Sequence, residues 1–476
     1  DYDAHPASTT TFCDPISDIN ISPDDVQRAL LSLDDNKATG SDKIPAKLLR
    51  CCAPYISSSL ADLFNRSLTS GSVPAEWKVS NIIPIPKGGQ KNEVSNYRPI
   101  SLLPIVSKVL ERCIYDQLIN HVSSELHNLQ YGFLRGKSTT SQLLKVLHEF
   151  GESLDKRIQT DVLYLDFAKA FDRVDHQLLL KKLSNFGICG NLLSWFHNYL
   201  SDRHQKVTIL GKTSRSIPVL SGVPQGSILG PLLFLVYVND LPEKSTTSSV
   251  VLFADDTKCY HAIRTTDDVK ALQCDLDGIS QWCRTWRMNL NETKCGVLKV
   301  TRNLKPVQSS YHLNNDNSAN STVIRKRLVQ KDLGVLITAD LKWNQQVSVV
   351  CAKANRMLGF VKRSSIKMHD PRTRTALYKT LVRSRFAYSS QVWSPQSVSL
   401  ILEVEKIQRR ATRFILSLSF RSETSYQERL LKTGLLPLSY WHEYLELVYL
   451  FKAIKLNDSQ ISIVSNACIT KRATTN

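Results

Sequence analysis

Two adjacent carboxylates, Asp255 and Asp256, stand between two short strand-like runs in Ser249-Val-Val-Leu-Phe-Ala-Asp-Asp-Thr-Lys-Cys-Tyr260. Val250 to Phe253 are β-branched, aliphatic or aromatic and read as a buried strand, and Thr257 to Tyr260 can return antiparallel across a tight Ala-Asp-Asp turn. Both carboxylates then sit at a hairpin tip, where they repel one another unless a cation lies between them. Hard oxygen donors at such a tip suit Mg²⁺ better than a softer metal. Taken alone, such a pair is more often a polar turn. Upstream, Asp161-Val-Leu-Tyr-Leu-Asp166 is a second apolar strand ending on a carboxylate, and a helix-compatible run through Leu180 and Leu183 follows it. If the two strands are neighbours, Asp166 and Asp255 converge on one metal pair, the arrangement that clamps attacking and leaving oxygens in phosphoryl transfer. Asp172 and Asp175 are assigned to the following helix or its surface.

Between the acidic strands lies Ser221-Gly-Val-Pro-Gln-Gly-Ser-Ile-Leu-Gly-Pro-Leu-Leu-Phe234. Gly222 and Gly226 permit close backbone approach, and Ile228 to Val238 form an apolar helix. Small residues there leave room for a flat ligand such as a nucleobase; a strand-to-helix turn that uses glycine only for its geometry fits as well. Earlier elements are clearer in type than in role. Ser22 caps a helix with Pro23 in its first turn and Val26, Leu30 and Leu33 at helical spacing, and a second helix runs near 58 to 70 and stops at Gly71. Ile82-Ile-Pro-Ile-Pro86 is an edge-type strand, because proline cannot donate to a central ladder. Beyond Trp343, Val347, Val350, Ala354, Leu358 and Val361 share one helical face, as do Val404, Ile407, Ala411 and Phe414.

Taken in order, the segments LDFAKAF (165 to 171), SGVPQGSILGPLLF (221 to 234) and FADD (253 to 256) resemble motifs A, B and C of the reverse transcriptases of non-LTR (LINE-type) retrotransposons, most like the jockey and CR1 groups. NYRPISLLP (96 to 104) and QYGFLRGKSTTSQL (130 to 143) resemble fingers segments, Trp286 to Lys294 resembles motif D, and DLGV (332 to 335) resembles the primer-grip hairpin. The resemblance implies an α/β (α+β) right-hand polymerase with fingers, a ferredoxin-like palm and a helical thumb. Along the chain it implies a helical N-terminal extension over 1–80, fingers over 81–155, a palm with motifs A to E over 156–340, and a basic helical thumb and C-terminal region over 341–476. It further implies an RNA-directed DNA polymerase that extends a DNA primer on an RNA template with deoxynucleoside triphosphates.

The same resemblance assigns roles by position. Asp166, Asp255 and Asp256 are the catalytic carboxylates and ligands of two Mg²⁺ ions, for which Mn²⁺ can substitute. Phe171 closes against the sugar and rejects a 2′-hydroxyl, while Gln225 and Gly226 border the nascent base pair. Arg135, with Lys137 as a weaker candidate, faces the incoming triphosphate, for which a forked guanidinium is suited; Arg98 assists there or holds the template. Lys294 donates a proton to departing pyrophosphate, although Lys294-Cys295 replaces the Lys-Thr expected in that motif. The implied setting is intracellular, cytoplasmic for assembly with RNA and nuclear at integration, with an endonuclease domain in the parent polyprotein. Two alternatives remain open: a remnant that only binds nucleic acid, and a maturase-like RNA-binding protein.

Bulk properties agree with a nucleic-acid partner. The formal charge is +18 over 476 residues, and residues 341–476 hold 22 lysines and arginines against 8 carboxylates. A basic surplus so localised points to a polyanion. The 11 cysteines include no Cys-x-x-Cys, so zinc-site spacing is missing and free thiols are expected. The longest apolar run, Ile228 to Val238, is too short to span a bilayer, so no membrane partner is expected. The chain starts without an initiator Met or a signal-like segment and reads as a piece of a longer polyprotein.

Overall fold

The computed structural model describes residues 14–313, 322–419 and 421–455. The polar run at 314 to 321 and the weakly patterned stretch from 459 lie outside them. The centre is an antiparallel sheet in which Gln159–Asp166 lies between Gly296–Val300 and Asp256–Ile263, with Ser249–Phe253 beyond the latter. Lys326–Arg327 adds a short parallel edge to Gly296–Val300. Residues alternate across this sheet as the pleat requires. Leu163, Leu165, Val250, Leu252 and Val297 join a core with the N-terminal helices Pro23–Leu31 and Ala53–Thr69, helix Ile105–Val122 and the apolar helix Leu229–Val238. Val162, Tyr164, Val251, Tyr260 and Leu298 face a second core shared with helix Thr139–Asp155 and the C-terminal helices. The sheet is therefore covered on both sides and open only at its end.

A second sheet sets Val79–Pro86 between Tyr97–Leu102 and Arg203–Ile209. This corrects the edge-strand expectation in part. Asn81 and Ile82 are paired on both sides, whereas Pro84 and Pro86 lie past the stretch that pairs with Arg203–Ile209 and have a neighbour on one side only. Strands from 203 to 219, assigned by sequence to the palm stretch, thus join the sheet of the fingers stretch. The N-terminal helix begins with the expected cap: the Ser22 side chain accepts from the Asp25 amide, and Asp25 returns the bond to the Ser22 backbone. Helix Asn344–Ser364 buries Val347, Val350, Ala354, Leu358 and Val361, and helix Val398–Ile415 buries Val404, Ile407 and Ala411. Residues 332 to 335 form the turn of an antiparallel hairpin, Val329–Asp332 with Val335–Thr338. Among the described residues no helix is long and apolar enough to cross a membrane.

Candidate active site at the open end of the central sheet

Strand register brings the carboxylates together. Asp166 closes its strand directly opposite Asp256, and Phe253 pairs with Asp256, leaving Ala254 and Asp255 as a two-residue turn. Ala254 takes φ 54°, a left-handed conformation that turns the chain tightly enough to raise Asp255 at the tip. Asp166 and Asp256 lie on the face that carries Tyr164 and Lys258, since residues two apart share a side. Burial and the Asp166 charge raise the Asp255 pKa, opposed by its own backbone N–H, Arg98 and Lys294. Asp256, although its surface is exposed, is crowded by protein and pushed up to about 6; after that crowding, Asp255 and Asp332 are the main causes, and Lys258 opposes them. Carboxylates crowded at one end of a sheet form a locus that attracts cations. One is present already, for the Lys294 ammonium lies 3.1 Å from Asp166 Oδ2.

The donor chemistry fits a hard divalent cation, because the side chains at the tip offer carboxylate oxygens only. Among the described residues no group of three His, Cys, Asp or Glu side chains stands close enough together to hold a metal ion by itself. Such a site suits an ion that retains water or substrate oxygens as its other ligands.

Sequence reasoning missed the clamp that holds this tip. The side-chain carbonyl of Gln130 accepts from the amides of Gly132 (2.8 Å) and Ala254 (3.0 Å), while the Tyr131 amide donates to the Leu252 carbonyl at 2.8 Å. A methyl group on Gly132 would come 2.4 Å from the Ala254 nitrogen. The signal was present as a glycine between two aromatics in Gln130-Tyr-Gly-Phe133.

The glycine-rich turn is positioned just as tightly. A Cβ at Gly222, φ 88°, would meet the Asp172 backbone at 2.7 Å, and one at Gly226 would meet the Ser101 carbonyl oxygen at 2.5 Å. The space these glycines provide is thus filled by the chain's own backbone, which corrects the expectation that it accommodates a flat ligand. Gln225 is held at both ends: its carbonyl accepts from the Ser101 amide at 2.8 Å, and its side chain donates to Asp172 Oδ1 at 2.7 Å. Buried Glu111 receives the Ile228 and Leu229 amides at 2.6 and 3.2 Å and so caps the apolar helix from another element. Burial raises the Glu111 pKa against the pull of those two amides.

Phe171 is half-buried, stacked on Phe234 at 4.4 Å between ring centroids with the edge of Phe133 at 6.1 Å. Arg98 is exposed on strand Tyr97–Leu102, near enough to Asp255 to favour its charge. Arg135 is exposed in the loop before helix Thr139–Asp155. Lys137 is turned inward: its ammonium donates to the carbonyls of Asn128 (2.6 Å) and Gln130 (2.9 Å) and lies over the Tyr131 ring. It braces the Gln130 clamp rather than presenting a free cation. Asp172 sits in the short helix Ala170–Arg173, and Asp175 caps helix His176–Asn185 while pairing with Arg287.

Comparison with known proteins gives the same arrangement a family. Residues 85–330 match the model for reverse transcriptase (RNA-dependent DNA polymerase). The chain is similar to the RNA-directed DNA polymerase from mobile element jockey of Drosophila melanogaster, 27% identical over 88% of this chain and 46% of that protein. It is also similar to the probable RNA-directed DNA polymerase from transposon X-element of the same species, 28% identical over 83% of this chain and 44% of that protein. A shorter match, 30% identical over 49% of this chain and 34% of the relative, is to the retrovirus-related Pol polyprotein from type-1 retrotransposable element R2 of Popillia japonica. The chain thus spans less than half the length of each of these relatives. With the three acidic and glycine-rich segments inside the matched range and folded into one end of the central sheet, the chain belongs to the reverse transcriptase family.

Proposed function

We propose that this chain is the polymerase portion of a non-LTR retrotransposon protein and extends a DNA primer on an RNA template. The observation that carries the reading is the register of Asp166 against Asp256, with Asp255 raised beside them on the Ala254 turn. Reverse transcriptases work with divalent metal ions. Asp166, Asp255 and Asp256 would hold two Mg²⁺ ions, or Mn²⁺ in their place, which supply Lewis-acid activation of the primer 3′-hydroxyl and charge stabilisation on pyrophosphate.

The protein's own contribution is placement. Gln130 and Gly132 hold the tip, and Gln225 with Gly226 fixes the turn bordering the base pair. Phe171, wedged between Phe133 and Phe234, is the wall against a 2′-hydroxyl. Arg135 and Arg98 face the triphosphate, and Lys137 holds the segment that carries Arg135. Lys294, once released from Asp166, is placed to protonate the leaving group. The parent protein would carry an endonuclease and work in the cytoplasm with its RNA and in the nucleus at integration. Purified chain, a 5′-labelled DNA primer on RNA, deoxynucleotides and Mg²⁺ make the test: extension supports the reading, and none under conditions that shift template-primer in a gel overturns it.

A further inference from the structure

Behind the catalytic carboxylates, on the same face of the sheet, lies a buried ion pair that the polymerase reading does not use. Lys258 Nζ lies 2.8 Å from Asp332 Oδ1, with each side chain only 2% exposed. Lys258 also donates to Gln142 Oε1 of helix Thr139–Asp155 at 3.0 Å, and the Tyr164 hydroxyl donates to Asp332 Oδ2 at 3.3 Å. Strand register makes the location specific. Tyr164 pairs with Lys258, and the next pair on that face is Asp166 with Asp256. Asp332 ends the first strand of the Val329–Thr338 hairpin and pairs with Val335 across the Leu333-Gly334 turn. That turn is held from its other side as well: the Tyr388 hydroxyl donates to the Leu333 carbonyl at 2.7 Å, and Tyr388 Cε1 would lie 3.0 Å from a methyl group on Gly334. Tyr388 follows the thumb helix Ser384–Ala387, and its hydroxyl is 3.3 Å from Thr139 at the start of the Gln142 helix.

A buried pair of this kind is an expensive way to gain stability, since desolvating two charges consumes most of their attraction, and apolar residues of the same volume serve as well or better. What it supplies is direction. Lys258 cannot reach Asp332 and Gln142 together unless the hairpin, the catalytic strand and the helix stand in one arrangement.

We propose that Lys258 and Asp332 are positioning residues that lock the Val329–Thr338 hairpin to the catalytic strand one register step behind Asp166 and Asp256, with Tyr388 tying the thumb to the same point. The kinetic consequence rests on the polymerase reading, in which that hairpin carries the primer end; the mechanical one rests on the fold alone. Loss of the lock leaves the strands bound but the primer terminus misplaced, and a displacement of about 1 Å costs on the order of a hundredfold in rate.

The test uses Lys258→Met with Asp332→Asn, which removes both charges at nearly constant volume and leaves the Tyr164 hydroxyl an acceptor. The single Lys258→Met variant strands a buried carboxylate and serves as the destabilised control. Three properties are read: thermal unfolding, amide hydrogen exchange in 329–338, and single-turnover nucleotide addition beside template-primer affinity. The double variant is expected to unfold near the parent and to bind template-primer within about threefold of it, while exchange in the hairpin rises and addition slows by roughly tenfold or more. Unchanged exchange in the hairpin overturns the lock, whether or not the parent extends a primer. Raised exchange with parental addition rates overturns the positioning role alone. A parent that extends nothing defeats the polymerase reading, and the exchange result then decides the lock by itself. Lys258→Arg, which restores a cation, is expected to recover protection and rate together.

Discussion

At the tip of the central sheet and in the C-terminal helices, the stretch read from sequence as a thumb, the chain concentrates charge by different means. The tip gathers three like charges at one sheet end and holds them through backbone: a left-handed Ala254, two amides on Gln130, and a glycine with no room for a methyl group. The thumb spreads its charge along helices, and part of it is internal. Arg374 and Arg383 are 5% and 7% exposed, donate to the carbonyls of Phe414 and Leu436, and lie over the Phe414 and Trp441 rings. Arg429 is buried as well and donates to the Thr424 carbonyl. A basic surplus read from sequence therefore overstates the cationic surface, because some of it satisfies helix ends and rings inside. Arg409 and Arg410 remain exposed, although Arg409 lies over Tyr426 and Arg410 donates to Asn355. Precise placement is thus a feature of the tip, whereas the C-terminal helices spread exposed cations such as Arg409 and Arg410 over a surface.

The sharpest break between the two is Asp255→Asn. It should reduce extension on the order of a thousandfold while leaving template-primer affinity nearly unchanged, measured by single-turnover extension and gel shift on one preparation. Parallel loss of both would show that the tip also carries binding. Next, Gly132→Ala should cost about a hundredfold in extension with binding retained, since the added methyl must displace Ala254. A variant at parental rate would mean that the clamp gives without moving Asp255.

The thumb can be weakened without touching the tip. His442 is buried and its pKa is lowered to about 4, by burial first and by Arg383 in addition, against a backbone hydrogen bond to Phe386. An imidazole held neutral in the fold is protonated more readily in the unfolded chain. Its contribution is therefore complete above about pH 6.5 and is lost as pH falls toward 4, by about 3 kcal/mol. His442→Gln should flatten that fall in urea titrations followed by thumb fluorescence; an unchanged slope would assign it to other groups. The smallest effect is expected from replacing Arg409, Arg410 and Arg413 together by Gln. Affinity should weaken and its salt dependence flatten by roughly one unit of slope for each phosphate no longer neutralised. A parental slope would mean that this face neutralises no phosphate.

What was legible in sequence follows the same division. Continuous apolar, β-branched runs marked the strands ending at Phe253 and Asp166, which are buried on both faces, and 3.6-residue spacing marked the C-terminal helices, which bury one face, because each signal is local. The bonds that fix the site were not legible, since they join residues far apart in sequence: Gln130 to Ala254, Gln225 to Asp172, Glu111 to Ile228 and Lys258 to Asp332. A glutamine or a lysine carries no period that announces a partner a hundred residues away. For the same reason Lys137 read as a free cation although two carbonyls hold it, and Gly226 read as space for a ligand although Ser101 fills it.

A polymerase site at Asp166, Asp255 and Asp256 has to act through a bound divalent cation and to fail when one carboxylate is lost. The most direct measurement is extension of a labelled DNA primer on an RNA template by the purified chain with Mg²⁺, titrated with chelator, beside the Asp255→Asn variant. A polymerase site yields template-length products that vanish with chelator and are absent in the variant. A chain that shifts template-primer in a gel but adds no nucleotide, or a variant that extends as well as the parent, would contradict it.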